Sequence, residues 1–444
     1  MRWVWISSVY PDHVLTHQIT KSNFDSQRGR RLKLSWKTRW TVLAAGLLVL
    51  AVACGGSDPT ATLPATAKPE PASIIPEGSS VVPRLVPALD QSIHSVPLED
   101  IVFDTFGTVS ARFVPLSEIS EQLQTNLRDA ILPVDRPAYG APETLPWLTG
   151  EHLIIGYESD AEAFAYPINI LNFHEIVNDT IGGMPVLITY CPLCFSGVIF
   201  SREVEGETLT FGNTSTLYQS DLVMYDHQTG SYWFQVAGEA VVGTLTGSRL
   251  KPLPSATKPW GNWKALHPQT RLITGVEDLE TFFAAGRYAN SFGSGYQDSV
   301  NNGRFAFPVD EDKLDGRLPA GEIVLTVEVG DAITAFPLGA IGDGAVNAEV
   351  GGLPVVVFTT SGGRSVGAFS RVPAPSAAEG QTLTFDYREE DAAFVDRETG
   401  SIWDFAGRAQ DGPLSGSRLD RVSTRRSFWF AVAISFPGVD IYNP

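Results

Sequence analysis

The stretch Ile181–Gly212 reads IGGMPVLITYCPLCFSGVIFSREVEGETLTFG, and a related stretch beginning at Val350 reads VGGLPVVVFTTSGGRSVGAFSRV. Each opens with Gly-Gly-x-Pro and continues into a run of β-branched and other apolar residues, which is typical of a buried strand that follows a turn. The two stretches begin 169 residues apart. Their similarity therefore predicts that one β-rich folding unit occurs twice in the chain.

Three more pairs of segments extend this similarity to about 105 residues of each unit. They are AFAYPINIL at Ala163 and AFPLGAI at Ala335, MYDHQTGSYWFQ at Met224 and FVDRETGSIWDF at Phe394, and LTGSRL at Leu245 and LSGSRL at Leu414. A period as long as a domain predicts two homologous tandem repeats rather than a solenoid. We place the first repeat at 151–290 and the second, diverged repeat at 320–444.

Local patterns predict a mainly β fold with a few short helices, that is, a β-rich α+β class. Glu205–Gly206 separates two strand-like runs, and Gly230 ends a turn between LVMYD and SYWFQ, so both places predict hairpins. Apolar residues at every fourth position predict one helix near 119–131 with Ser117 as its cap. A second short helix is predicted at Asp278–Ala285.

The N-terminus has the pattern of a secretory leader. Six Lys and Arg residues in 28–39 precede a short apolar run, Trp40–Ala53, and Cys54 follows it directly. This pattern resembles a bacterial lipoprotein processing site, with Cys54 as the lipidated residue, although Ala51 stands where Leu is usual. An uncleaved membrane anchor is the alternative. Either interpretation places the protein outside the cytoplasm, attached to the cell membrane.

The predicted leader therefore covers 1–53. The segment 54–80 is rich in Pro, Ala, Thr and Ser, and it predicts a disordered tether. We expect 81–150 to form an N-terminal extension that packs on the first repeat.

Charge excludes one class of partner. Residues 1–53 hold 8 of the 32 Lys and Arg and 2 of the 50 Asp and Glu, so the remaining chain carries 24 basic and 48 acidic residues. Nucleic-acid binding depends on neutralising phosphates with Lys and Arg, so this acidic balance argues against it.

The two repeats differ in the residues that could carry chemistry. Cys191 and Cys194 align with Thr360 and Gly363, and His267 aligns with Phe436. Thiol and imidazole groups kept by one repeat alone indicate a site confined to that repeat. Asp221, in contrast, has a counterpart in Asp391, which favours a structural role for it.

Three chemistries suit a Cys-x-x-Cys motif outside the cytoplasm. The two thiols can cycle between dithiol and disulfide. They can bind a soft metal ion such as copper or zinc, with His267 as our preferred third ligand. They can also form an inert disulfide, which is common in oxidising compartments.

Several blocks together resemble the bacterial and archaeal domain of unknown function family 3179. The blocks are TYCPLC, SREVEGETLTFG, SDLVMYDHQTGSYWFQ, GTLTGSRL and WGNWKALHPQT. The resemblance favours an extracytoplasmic protein and supplies no activity. It implies characteristic positions at Cys191, Cys194, Ser220, Asp221, Asp226, Trp233 and His267.

Two hypotheses follow, and whether the chain is an enzyme stays open. In the first, Cys191, Cys194, Ser220, Asp221 and His267 are candidate catalytic residues, and the two cysteines with His267 are candidate metal ligands. In the second, the chain is a non-catalytic cell-surface binding module with a structural disulfide.

Overall fold

The computed structural model of the chain describes residues 86–159, 162–277, 282–289, 295–374 and 381–443. The predicted leader at 1–53, the lipidation residue Cys54 and the tether at 54–80 lie outside the described residues. The described residues all belong to one unit.

Strands dominate the described residues. Four come before residue 150: β1 (Ile101–Asp104), β2 (Phe113–Pro115), β3 (Val134–Asp135) and β4 (Pro137–Gly140). The first predicted repeat contributes β5 (Leu153–Glu158), β6 (Ala163–Pro167), β7 (Ile176–Ile181), β8 (Met184–Cys191), β9 (Ser196–Ser201), β10 (Glu203–Val204), β11 (Glu207–Thr208), β12 (Phe211–Tyr218), β13 (Asp221–Asp226), β14 (Tyr232–Phe234), β15 (Glu239–Val242), β16 (Ala256–Pro259) and β17 (Arg271–Val276). The second contributes β18 (Ile323–Val329), β19 (Ala332–Pro337), β20 (Gly344–Val350), β21 (Leu353–Thr360), β22 (Ser365–Pro373), β23 (Phe385–Arg388), β24 (Ala393–Asp396), β25 (Ile402–Trp403), β26 (Ala409–Asp411), β27 (Leu419–Arg421), β28 (Ser423–Phe428) and β29 (Asp440–Ile441).

The α-helices of the described chain are short, with at most seven residues each. They are α1 (Glu121–Leu127), α2 (Ile168–His174), α3 (Trp260–Leu266), α4 (Tyr296–Asn301), α5 (Leu338–Ile341) and α6 (Trp429–Ser435). Among the described residues, no helix has the length and apolar character that crossing a bilayer requires. The predicted class, mainly β with a few short helices, is confirmed.

Strands from both predicted repeats share the two largest sheets. One sheet has the order β20-β21-β22-β16-β5-β6-β17-β4, with β27 added beside β22. The other has the order β29-β19-β18-β28-β9-β8-β7-β3. In each sheet a three-strand meander from one segment therefore lies beside a four-strand group from the other segment.

The junctions of the two sheets also correspond. Thr257 of β16 pairs with Val366 of β22, and Arg426 of β28 pairs with Gly197 of β9. Each pair joins a strand of one segment to a strand of the other. The two segments are thus interleaved through their sheets, and β3 and β4 of the N-terminal extension add an edge strand to each.

A smaller sheet follows each meander. The first segment forms the order β15-β14-β13-β12-β1-β2, which includes two strands of the N-terminal extension, and the second forms β23-β24-β25-β26. In the first, Trp233 Nε1 donates to Asp226 Oδ2 at 3.0 Å. In the second, Trp403 Nε1 donates to Asp396 Oδ2 at 2.9 Å. The same buried anchor therefore occurs in both sheets.

The two predicted hairpins are confirmed. β10 pairs with β11 across the turn Glu205–Gly206, where both residues have positive φ. β13 pairs with β14 across a turn that contains Gly230, whose φ is 73°. Residues with φ above zero at both central positions give the turn that matches strand twist.

The helix predictions need two corrections. α1 begins after Ser120, whose hydroxyl accepts from Leu123 N at 3.3 Å, so Ser120 rather than Ser117 is the cap. In the second predicted helix, residues 278–281 lie outside the described residues, and the remainder contains a 3-10 helix at Phe282–Ala284.

Candidate functional site

The Cys-x-x-Cys motif forms the turn between β8 and β9. Cys191 ends β8 and pairs with Ser196, so residues 192–195 make a four-residue loop, and Phe195 takes φ 55°. The carbonyl oxygen of Cys194 accepts from Phe428 N at 2.8 Å and from Ser427 Oγ at 3.0 Å. The second segment therefore fixes the position of Cys194 through β28.

A second turn brings a carboxylate to the thiols. Tyr218 pairs with Asp221 across a two-residue turn, in which Gln219 and Ser220 have φ of 52° and 61°. Two consecutive non-glycine residues in this region are unfavourable by about 1–3 kcal/mol each, and such strain is typical of functional sites. The turn places Asp221 at the first position of β13, where it faces the motif.

The thiols and this carboxylate form one buried cluster. Cys194 Sγ lies 2.7 Å from Asp221 Oδ1 and 3.0 Å from Ser196 Oγ. The ligand atoms of Cys191, Cys194 and Asp221 all lie within 4.8 Å of one another. All three residues are at most 1% exposed. Two sulfurs and one carboxylate oxygen at this separation can surround a single metal ion.

Further hydrogen bonds orient the members of this cluster. Ser196 Oγ donates to Gln235 Oε1 at 2.6 Å, and Gln235 Nε2 donates to Thr189 Oγ1 at 2.8 Å. Val236 N donates to Asp221 Oδ2 at 2.9 Å. Asp221 is thus held by the backbone through one oxygen and presents the other to Cys194. Metal ligands are commonly oriented in this way by groups behind them.

Burial and acidic neighbours favour the protonated forms of this cluster. Burial raises the pKa of the Cys191 and Cys194 thiols, and the negative charge of Asp221 raises both further. Burial also raises the pKa of Asp221 to about 6. In the absence of a cation, the two thiols therefore retain their protons near neutral pH, and a metal ion that binds there would displace them.

The structure adds Glu175, which the sequence analysis did not select. Glu175 is the C-cap of α2, takes φ 58° and is buried, and Asn213 Nδ2 donates to its Oε2 at 2.5 Å. Burial raises the pKa of Glu175 to about 8, and the charge of Asp221 adds to this effect. A comparison of the two segments could have found Glu175. Ile176 and Ala345 occupy equivalent positions in the two strand ladders, so Glu175 corresponds to Gly344, and the acid occurs in the first segment alone.

Ser220 and His267 have different relations to the cluster. The Ser220 hydroxyl is buried beside Asp221 and has no hydrogen-bond partner among the described residues. His267 instead packs on Trp263, with ring centroids 4.2 Å apart, and its Nε2 lies 3.5 Å from Glu158 Oε1. The structure therefore groups Asp221, and not His267, with the two sulfurs.

Asp221 and its sequence counterpart have unlike surroundings. Asp391 is exposed and forms an ion pair with Arg388 at 2.5 Å, whereas Asp221 is 0% exposed. The sequence comparison favoured a structural role for Asp221 because both repeats contain the acid. Asp221 is buried against Cys194, so the two carboxylates share a chain position but not an environment.

Both cysteines are free thiols in this structure. The model of a family described as "Protein of unknown function (DUF3179)" matches residues 128–438. No curated protein and no solved structure gives a significant match. The matched range contains both cysteines, Glu175, Asp221 and His267, together with nearly all strands of the two large sheets. The chain therefore belongs to the DUF3179 family of proteins of unknown function.

Proposed function

We propose that the protein binds one zinc ion through Cys191, Cys194 and Asp221. The observation that carries this proposal is the grouping of the three ligand atoms within 4.8 Å in a fully buried position. Zinc bonds of about 2.3 Å to sulfur and about 2.0 Å to oxygen place tetrahedral ligands roughly 3.5–3.8 Å apart. The cluster needs only a small expansion of its 2.7 Å sulfur–oxygen contact to reach that geometry.

The donor set favours zinc over copper. Two thiolates suit both zinc and Cu(I), whereas a carboxylate suits harder ions and is an ordinary zinc ligand. A divalent ion also neutralises more of the negative charge that two thiolates and Asp221 carry once deprotonated. Three protein ligands leave the fourth tetrahedral position for water or a substrate, as in zinc sites that act on bound molecules.

Thiol–disulfide exchange is the second candidate function. It is supported by the two free thiols that share one turn. The acidic surroundings argue against this function. Reactive cysteines lie beside positive charge, which lowers the thiol pKa. Here burial and Asp221 raise the pKa of both thiols. The metal site therefore explains more of the observed environment.

Metal analysis of the full-length, detergent-solubilised protein tests this proposal. We expect one zinc per chain, and we expect Co²⁺ to give a thiolate-to-cobalt charge-transfer band that Cys191→Ser and Cys194→Ser each weaken or abolish. His267→Gln is the matched control, and it should retain both the stoichiometry and the band. Unchanged zinc content in both cysteine variants would contradict the proposal. A protein that contained copper instead of zinc would show that the site is a metal site but that the proposed ion is wrong.

The alternative of a non-catalytic binding module makes a different prediction. In that case the thiols would take up no metal, and Cys191→Ser and Cys194→Ser would leave every measured property except thiol count unchanged. Thiol counting with and without reductant separates this outcome from redox cycling.

We also propose that the site operates outside the cytoplasm on a lipid-anchored chain. This proposal is supported by the basic and apolar leader before Cys54 and by the excess of acidic residues after it. We propose as well that the two segments are copies of one unit that exchange strand groups. The matching strand orders of the two large sheets support this view.

A further inference from the structure

The turn that carries Asp221 departs from the usual sequence for its shape. Tyr218 and Asp221 pair across it, and its two central residues, Gln219 and Ser220, have φ of 52° and 61°. Two-residue hairpin turns with positive φ at both positions favour Asn-Gly, Asp-Gly or Gly-Gly, because most side chains are unfavourable there. The pair Gln-Ser is none of these, so contacts elsewhere in the fold must hold the turn in this shape.

The side chain of Gln219 makes such contacts at both ends of its amide. Its Oε1 accepts from the backbone N of Asp310 at 2.7 Å, and its Nε2 donates to Asp100 Oδ2 at 3.4 Å. A backbone N–H can only donate and an ionised carboxylate can only accept, so both partners require the same orientation of the amide. Gln219 is 5% exposed, and its side chain is therefore anchored inside the folded chain.

One of these partners, Asp310, belongs to the chain between the two predicted repeats. We call residues 307–313 the linker. At its beginning, Phe307 is 3% exposed and packs on Phe113 of β2, with ring centroids 5.0 Å apart. The linker is therefore fixed on the N-terminal extension by a buried aromatic contact, close to the turn that it holds.

The other partner, Asp100, is held by the same linker. Lys313 Nζ donates to Asp100 Oδ2 at 2.9 Å. Asp100 directly precedes β1, and the first residue of that strand, Ile101, pairs with Tyr218 at the edge of the turn. The N-terminal extension, the first segment and the linker therefore meet at the side chain of Gln219.

We propose that Gln219 is a positioning residue for the cysteine–aspartate cluster, and that the linker regulates metal binding through it. Asp221 follows the turn directly, and its Oδ1 faces Cys194 Sγ at 2.7 Å. While Gln219 is anchored, the turn keeps its positive φ values and holds the carboxylate beside the sulfur. When the linker releases Gln219, the turn relaxes and carries Asp221 away from Cys194. This inference rests on the proposed function, because Asp221 is one of the three proposed ligands.

Two substitutions of Gln219 separate the anchor from the turn. Gln219→Met removes both hydrogen bonds and keeps a side chain at positive φ, so the turn should relax. Gln219→Gly removes the same bonds, but Gly adopts positive φ without steric cost, so the turn should persist. Chelator competition on the full-length protein should show zinc binding about tenfold weaker in Gln219→Met, as for other lost groups that orient ligands, and within about threefold of the wild type in Gln219→Gly.

Phe307→Ala tests the linker without changing the turn. It should free the linker from Phe113 and weaken zinc binding about tenfold, as Gln219→Met does. In the Gln219→Gly background it should have no effect on zinc affinity, because the turn there no longer depends on the anchor. Gln228→Met is the matched control, since the Gln228 amide also makes two hydrogen bonds, just beyond the other end of β13, and this variant should bind zinc as the wild type does.

Equal zinc affinity in Gln219→Met and Gln219→Gly would overturn the proposal, and so would unchanged affinity in Phe307→Ala or a tenfold loss in Gln228→Met. Alkylation of the metal-free protein gives a second readout that needs no zinc. Cys191 and Cys194 are at most 1% exposed, so they should react slowly in the wild type and in Gln219→Gly, and faster in Gln219→Met. A wild type without zinc would refute the proposed function, and the alkylation rates would then decide this inference, since equal rates in the two Gln219 variants would contradict it.

Discussion

Cys194 Sγ contacts Asp221 Oδ1 at 2.7 Å, although the turn that holds Cys194 and the strand that holds Asp221 belong to different sheets. Cys194 lies in the turn after β8, and Asp221 opens β13 of the six-stranded sheet. Their contact exists only when these two turns face each other in the folded protein. Metal binding at this point should therefore stabilise the folded state, because the unfolded chain does not hold the ligands together.

The carboxylate of Asp221 should be necessary for tight metal binding. Asp221→Asn keeps an oxygen that can accept from Val236 N, and it removes the negative charge that faces Cys194. We expect zinc affinity to fall about 100-fold or more, because loss of groups behind the ligands already lowers affinity about 10- to 100-fold. Competition with a chelator of known affinity measures this change.

Asp391→Asn is the matched control for that variant. The substitution makes the same chemical change at the corresponding position of the second segment, where the acid is exposed and paired with Arg388. We expect unchanged zinc affinity. If both variants weakened zinc equally, the effect would come from overall charge and not from ligation.

His174 should make folding stability fall between neutral and acidic pH. Its ring is buried between Leu132 O at 2.8 Å and the Tyr288 hydroxyl at 3.0 Å. Burial lowers the pKa of His174 from 6.5 to about 4. The unfolded state therefore takes up a proton as the pH falls below 6.5, whereas the folded state resists it until about pH 4, so stability is lost in this window.

Denaturant unfolding at pH 7 and pH 5 measures this effect. Between these values the wild type should lose about 2 kcal/mol more than His174→Gln, because each pKa unit corresponds to about 1.4 kcal/mol. The other histidines are present in both proteins, so their contributions cancel. Equal losses in the two proteins would show that His174 titrates normally in the folded state.

Much of the strand content could be predicted from local sequence. Gly-Gly-x-Pro before a run of β-branched residues predicted the strand that became β8, and positive φ at Glu205 and Gly206 matches the turn that was expected there. These features depend on residues close together in the chain. The N-terminal cap of α1 was misplaced because Ser117 and Ser120 both fit the pattern.

The site could be predicted only in part. The cysteines stand out because the second segment lacks them. Asp221 is a candidate catalytic residue from sequence but not a candidate metal ligand, because its counterpart Asp391 favours a structural role for it. Sequence comparison shows which residue types recur and does not show burial, which separates these two acids. The packing of His267 on Trp263 could not be predicted from sequence, because contacts between distant segments depend on how the β strands of the two segments interleave.

Replacing Lys258 should stabilise the protein. Lys258 is 2% exposed, and its Nζ lies 4.1 Å from the Phe405 ring centroid and 5.5 Å from that of Trp263. Burial lowers the pKa of Lys258 from 10.5 to about 7. Across that interval the unfolded lysine holds a proton that the folded lysine has lost, so stability rises with pH. Lys258→Met keeps the unbranched chain and its aromatic contacts and removes the buried amine.

We expect Lys258→Met to raise the free energy of unfolding at pH 7 by about 1–4 kcal/mol, the range seen when buried charges are replaced by apolar groups. The gain should shrink toward pH 10. Lys264→Met, on the neighbouring helix α3 and at the exposed surface, is the control and should change stability little. A less stable Lys258→Met protein would mean that the amine makes a contact the fold requires.

The buried tryptophans of the two small sheets should contribute equally to stability. Trp233 Nε1 donates to Asp226 Oδ2 at 3.0 Å, and its ring packs edge-on against Phe211 with ring centroids 5.6 Å apart. Trp403 Nε1 donates to Asp396 Oδ2 at 2.9 Å, and its ring packs edge-on against Phe385 with ring centroids 5.7 Å apart. Each Trp→Phe substitution removes one hydrogen bond to a fully buried carboxylate. The lost hydrogen bond should lower the free energy of unfolding by about 1–3 kcal/mol. The smaller ring also leaves a cavity, which lowers stability further.

Matched measurements on the two tryptophan variants test whether the segments are energetically as well as topologically alike. Trp233→Phe and Trp403→Phe should lower the free energy of unfolding by similar amounts, within about 0.5 kcal/mol, and the double variant should show their sum because the sites are independent. A large effect in one sheet and a negligible one in the other would contradict a shared unit. Only Trp233 lies in the sheet that also carries Asp221, so Trp233→Phe alone should weaken zinc binding.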